Sequence, residues 1–173
     1  ANVVEMNKLS QVARAHLTHS WRVMAALDPI RVVLTNYDAQ VAAAGSGGCM
    51  TFQVQNSPTD DSQGFHHVTL TPTFYIDATD FRTQDSKEYY GLAPNKAVGL
   101  KYHGGNLVCD QIVKDDASDG KITELLCHLD SSEGRPKPKT FISWVPSDGI
   151  VAEVRVYDNL FSVPEPSTLW EDE

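Results

Sequence analysis

The chain has 173 residues, 41% of them apolar and 21% charged, with a formal net charge of −9. That size fits one domain, or one domain with an appendage. The acidity argues against a general nucleic-acid binder, and no apolar run approaches the ~20 residues of a membrane helix. The acidic groups are uneven, with Glu171, Asp172 and Glu173 in a tail and Asp115, Asp116 and Asp119 in one turn. A local basic face is therefore still permitted. The three cysteines, Cys49, Cys109 and Cys127, have no close spacing and read as reduced thiols of a cytosolic protein. Without a Cys-x-x-Cys pair or a Cys/His cluster, zinc is not expected. Residues 1–6 lack the basic and apolar regions of a signal peptide.

Met6, Leu9, Val12, Ala13 and Leu17 recur at helical spacing and predict an amphipathic helix ending near Ser20. Residues 21–27 are apolar and fit either a helical turn or the start of a strand, before Asp28-Pro29 breaks the run. Ile30 to Tyr37 is rich in β-branched residues and predicts a strand. The small residues of "AQVAAAGSGGC" read as a flexible loop; it is not the Gly-x-x-x-x-Gly-Lys pattern of a phosphate loop. Strands are predicted at 51–55, 65–70, 73–77, 97–102, 107–114 and 121–129, the last two joined by the hairpin turn "DDASDG".

"KTFISWVPSDGIVAEVRVYD", residues 139–158, predicts a further hairpin, broken at Pro146-Ser147-Asp148-Gly149. Its Ile142 and Trp144, with Val154 and Val156, are expected to fill the interior. Many short strands after one helix point to a mainly β fold, an antiparallel sheet closed into a barrel or a sandwich. "SVPEPSTLWEDE" reads as a Pro-containing acidic tail.

Catalytic signatures are scarce. Gly-x-Ser-x-Gly is absent, and Gly45-Ser46-Gly47-Gly48 follows no strand-to-helix elbow. His66 and His67 would face opposite sides of a strand, so at most one could join a site, and a structural or solvated role is the simpler reading. The chain reads as a binding module. Two regions mix cations with aromatics: Arg82, Lys87, Tyr89 and Tyr90 followed by Lys101 and Tyr102, and "EGRPKPKTF" with Arg135, Lys137 and Lys139. Aromatic faces can stack unpaired bases and the cations can hold phosphates. The plainer alternative is that the tyrosines are partly buried and the cations only solubilise.

The order of motifs resembles the C-terminal anticodon-binding region of glutaminyl-tRNA synthetases. "RVMAALDPIRVVLTNY", "VQNSP", "GFHHVTLTPTFYIDATDF", "LAPNKAVGLKY", "KPKTFISWV" and "EVRVYDNLFSVPEP" follow one another as in that family. The resemblance implies a proximal anticodon-binding β-barrel over residues 29–161, a helical lead-in over 1–28, and a linker over 162–173 toward a distal barrel. It also implies a cytoplasmic ligase joining glutamine to tRNA-Gln, with ATP and Mg²⁺ in a catalytic domain whose motifs this chain lacks. Expected partners are the tRNA-Gln anticodon stem-loop and a multi-synthetase complex, with no membrane. No catalytic residue and no metal ligand is expected here, and the RNA-binding candidates are Arg22, Lys87, Tyr90, Lys101, Arg135 and Lys137. Arg22 keeps the family's arginine, whereas a basic pair falls on Tyr90 and Gly91, a polar residue on Glu88, and two arginines on Gly99 and Lys101. Ser143 stands where the family usually has histidine. Two alternatives stay open: the equivalent domain of a glutamyl-tRNA synthetase, and a related barrel that serves protein interaction and has lost RNA binding.

Overall fold

The computed structural model describes residues 6–45, 47–115 and 120–158. The tip of the "DDASDG" turn and the acidic tail lie outside them. A helix α1 (Met6–Leu17) stands where the spacing predicts it, with both its apolar and its polar residues exposed. Residues 21–27 then run without regular structure to β1 (Pro29–Leu34).

The small-residue stretch is a correction: it begins as helix α2 (Tyr37–Ala44), closed by Gly45 in the left-handed conformation at φ 62. Alanine has the highest helix propensity, and a left-handed glycine is a common helix stop. What seats the helix is not local. Asn36 Nδ2 and Gln40 Nε2 both donate to the Leu129 carbonyl, each at 2.9 Å, and the Tyr37 hydroxyl donates to the Leu70 carbonyl at 2.8 Å.

Strands β2 (Met50–Gln55), β3 (Phe65–Leu70), β4 (Thr73–Asp77), β5 (Val98–Leu100), β6 (Asn106–Asp115) and β7 (Lys121–Asp130) agree with the predicted strands to within a few residues. β2 and β3 form a separate antiparallel hairpin. The others join β1 and two short strands, β8 (Phe141–Ile142) and β9 (Val145–Pro146), in one seven-stranded sheet of order β8-β5-β6-β7-β1-β4-β9. The fold is mainly β and barrel-like, as expected. The sheet is mixed, since β1 pairs with β7 and β5 with β8 in parallel.

The hairpin predicted over 139–158 does not form. Its first half divides into β8 and β9, which pair with different strands at the two opposite edges of the sheet. Residues 150–158 carry no strand; Ile150 is 97% exposed and Val156 86%, and Val154 is also on the surface. Alternation of apolar residues reports a strand-forming tendency, but burial requires a partner face that these residues lack among the described residues.

The division of β8 from β9 dictates the shape. Seven strands laid flat would hold their edges about 29 Å apart at the usual strand spacing. Ile142 and Val145 are only three residues apart, so their Cα atoms lie within about 11 Å. The sheet must therefore curl until its edges approach, giving the half-barrel. Irregularities in the β6–β7 register after Cys109 and Val113 help it bend.

Trp144 fills this seam. It is fully buried, donates from Nε1 to the Lys101 carbonyl at 2.9 Å, and meets Phe74 of β4 edge-on with ring centroids 6.0 Å apart. One side chain thus ties the end of β5 to β4, across the gap between the two edges. Val32, Leu70, Phe74, Ile76, Leu100, Leu125 and Leu129 complete the core around it. The prediction for Ile142 and Trp144 as interior residues holds, whereas Val154 and Val156 do not join them.

Candidate nucleic-acid interface

The two cationic–aromatic regions, far apart in sequence, meet around β5 and β8. β5 places Leu100 inward; β8 places Ile142 inward, and Trp144 follows it into the core. Gly99, Lys101, Phe141 and Ser143 therefore share the opposite, outer face. There the Lys101 ammonium donates to Ser143 Oγ at 2.9 Å. Tyr102 follows at φ 68, a left-handed conformation that is costly for a bulky residue, with its side chain 49% exposed. Strained backbone of this kind clusters at functional sites.

The loop from Ser131 to Thr140 runs back beside this face. Arg135 donates to the Ser132 carbonyl at 2.8 Å and to the Gly104 carbonyl at 2.6 Å, and Asn106 Nδ2 donates to the Pro136 carbonyl at 2.9 Å. Arg135 thus braces the β5–β6 turn against the β7–β8 loop. Lys137 and Lys139 are exposed on the same loop. Lys139 is close enough to Asp85 to help hold that carboxyl below its usual range, after the larger effect of a hydrogen bond from Lys96.

The segment after β4 supplies the other flank. Tyr89 is buried, with the Arg82 guanidinium 4.3 Å from its ring centroid and the Lys96 ammonium at 5.5 Å. Lys96 also pairs with Asp85 at 2.6 Å and donates to the Tyr89 carbonyl. Tyr89 is buried, as the plainer alternative expects of a tyrosine here, with Arg82 and Lys96 against its ring. Lys87 and Tyr90 stand exposed beside them, Tyr90 at 55%.

Packing also explains two departures from the resembled pattern. A Cβ at Gly91 would lie 2.5 Å from Tyr89 Cζ and 2.7 Å from the Asp80 carbonyl oxygen. One at Gly99 would lie 2.5 Å from Phe141 Cε1 and 2.9 Å from Pro138 Cγ. No side chain, basic or otherwise, fits either position without displacing an aromatic neighbour. Phe141, the aromatic of "EGRPKPKTF", was not among the named RNA-binding candidates; its pairing with Gly99 across β5 and β8 shows where it stands.

Arg22 belongs to a different neighbourhood. Its backbone N–H donates to the Asn56 carbonyl at 2.8 Å, at the turn of the β2–β3 hairpin, and its side chain is exposed. Asn56 orders that turn, donating to the Gln63 carbonyl at 2.8 Å and meeting His66 Nδ1 at 2.7 Å. His66 is thus a structural partner, and His67 faces solvent.

An open cleft of about 420 Å³ lies between α2, β2 and the β5–β6 turn, lined by Gln40, Ala44, Phe52, His103 and Ser131 among others. Burial, with Arg135 nearby, pushes the His103 imidazole below its usual pKa, favouring the neutral ring. Its Nδ1 accepts from the Gly105 N–H at 3.0 Å. No motif in the sequence marks this cleft, because its walls come from three distant segments.

Among the described residues no group of three His, Cys, Asp or Glu could hold a metal ion. Nor is any helix among them long and apolar enough to cross a membrane.

The curled, barrel-like sheet carries exposed lysines and Tyr102 around one edge. The family model for the anti-codon binding domain of class I tRNA synthetases (E and Q) matches residues 20–130, and the chain belongs to that family. More particularly, its relatives are glutamine–tRNA ligases. It is 37% identical over 153 residues to a probable glutamine–tRNA ligase of Dictyostelium discoideum, covering 86% of this chain and 18% of the relative. It is 36% identical over 166 residues to a glutamine–tRNA ligase protein of Hypocrea virens, covering 95% and 24%. With the glutamine–tRNA ligase of Neisseria meningitidis the identity is 34% over 176 residues, covering 97% and 29%. The chain therefore spans less than a third of the length of these relatives. Their names do not favour the glutamyl alternative.

Proposed function

We propose that this barrel grips the anticodon stem-loop of tRNA-Gln, as the proximal anticodon-binding barrel of a cytoplasmic enzyme that ligates glutamine to that tRNA. In this reading residues 29–161 form the barrel, 1–28 lead in from a catalytic domain, and 162–173 continue toward a distal barrel. ATP and Mg²⁺ act in that catalytic domain. The observation that carries the proposal is the meeting of Lys101, Tyr102 and the Lys137–Lys139 loop around β5 and β8, with Tyr90 exposed on the segment after β4, in a chain of this family. Exposed cations set the grip on phosphates, and exposed rings offer stacking faces to unpaired bases. Arg22, on the β2–β3 side, supplies a second contact.

Titration with tRNA-Gln and tRNA-Glu at several salt concentrations tests the proposal. The expected result is affinity that falls as salt rises, with tRNA-Gln preferred. Undetectable or salt-independent binding would favour the protein-interaction alternative, which the net charge of −9 keeps in view.

A further inference from the structure

We propose that Phe141 is an RNA-stacking residue: its ring takes the face of an unpaired base, and Lys101 beside it takes a neighbouring phosphate. This rests on the tRNA-binding reading above and assigns a contact within it to a residue that was not among the named RNA-binding candidates.

Phe141 lies on β8, an edge strand, paired in parallel with Gly99 of β5. The next residues in register, Leu100 and Ile142, point into the core, so Phe141 points out. The ring is 50% exposed although it is large and wholly apolar. It is also fixed. One edge occupies the space that a Cβ at Gly99 would need, and Pro138 closes the same space at 2.9 Å from that Cβ. Burial of Gly99 beneath it accounts for the inner side of the ring and leaves the outer side without a partner among the described residues. A preorganised aromatic surface of this kind loses little entropy when a base stacks on it.

The surroundings select nucleic acid over an apolar partner. Just past the ends of β5 and β8, with Cα atoms about 7 Å beyond those of Gly99 and Phe141 at the usual strand rise, the Lys101 ammonium donates to Ser143 Oγ at 2.9 Å. Two residues before the ring, Lys139 stands exposed on the same loop. An aromatic ring between lysines complements a base between phosphates.

The test measures binding of the whole chain to tRNA-Gln across a salt series for wild type, Phe141→Leu, Phe141→Tyr and Lys101→Ala, with melting temperatures for each. Loss of one stacked base corresponds to a fall in affinity of about 5- to 150-fold. Phe141→Leu is expected to show that fall with an unchanged salt slope, while Phe141→Tyr stays within about twofold of wild type. Lys101→Ala is expected to flatten the slope by about 0.7–0.9. Phe141→Tyr controls for folding, since it preserves the ring over Gly99. Wild-type binding with Phe141→Leu also within twofold overturns the inference and leaves the tRNA reading standing. Absence of wild-type binding overturns both.

Discussion

Replacing Trp144 with alanine removes a side chain that links the end of β5 to β4 across the seam. A buried aromatic of this size withdraws about 150–250 Å² from water. At about 25 cal/mol per Å² that is about 4–6 kcal/mol, an upper bound because the unfolded chain already buries some of it. Measured Trp-to-Ala losses in cores are about 3–5 kcal/mol, and the Lys101 carbonyl would lose its donor as well. A loss of about 4 kcal/mol is expected, a large share of the 5–15 kcal/mol typical of a domain. Urea unfolding followed by far-ultraviolet circular dichroism reads it directly. With a slope of about 2 kcal/mol/M the midpoint should fall by about 2 M. Trp144→Phe keeps a ring against Phe74 but loses the N–H, and should cost about 1–2 kcal/mol. Val154→Ala and Val156→Ala, at exposed positions, should stay within about 0.5 kcal/mol. The reasoning fails if Trp144→Ala costs under about 1 kcal/mol, or if either valine variant costs as much as the tryptophan.

Two further outcomes follow from the supports of the sheet. Asp77 closes β4 by accepting from Thr79 Oγ1 at 2.6 Å and from the Leu27 N–H at 2.8 Å. The Thr79 hydroxyl, with smaller help from the N–H groups of Leu27, Thr79 and Asp28, lowers its pKa from 3.8 to about 2. Because the folded value is depressed, this stabilisation is complete above about pH 4 and disappears as the pH falls toward 2. In acid titrations of unfolding stability, Asp77→Ala should be less stable at pH 7 and show a flatter decline over that window; an unchanged acid limb would refute the assignment. Asn36→Ala removes the 2.9 Å bond to the Leu129 carbonyl and the 3.0 Å bond from the Leu129 N–H. It should cost about 2–3 kcal/mol and speed hydrogen exchange in α2, and protection equal to wild type would contradict the tertiary seating of that helix.

The sequence was enough for the elements whose pattern is local. The periodicity of Met6 to Leu17 yields α1, and β-branched runs yield the strands from β1 to β7, because side-chain alternation and backbone preference act within a few residues. The order of its motifs was enough for the family, since order survives where single residues change. The same local signals failed at α2. Its alanines favour a helix but carry no amphipathic pattern, and the bonds from Asn36, Tyr37 and Gln40 to distant carbonyls fix it.

Only the tertiary structure could divide "KTFISWVPSDGIVAEVRVYD". Phe141-Ile142 and Val145-Pro146 find different edges because the curled sheet brings both edges to either side of Trp144. Residues 150–158, with the same alternation, meet no strand among the described residues. The interface divides in the same way. Sequence supplied lysines and tyrosines in two separate stretches, and Arg22 apart from both. Folding committed Arg82, Lys96 and Tyr89 to one another, set Arg135 on carbonyls, and brought Lys101, Tyr102 and the Lys137–Lys139 loop to one edge. It also placed Phe141 over Gly99. Which cations remain available depends on partners from 3 to 42 residues away, and the longer-range part of that information enters only when the sheet closes.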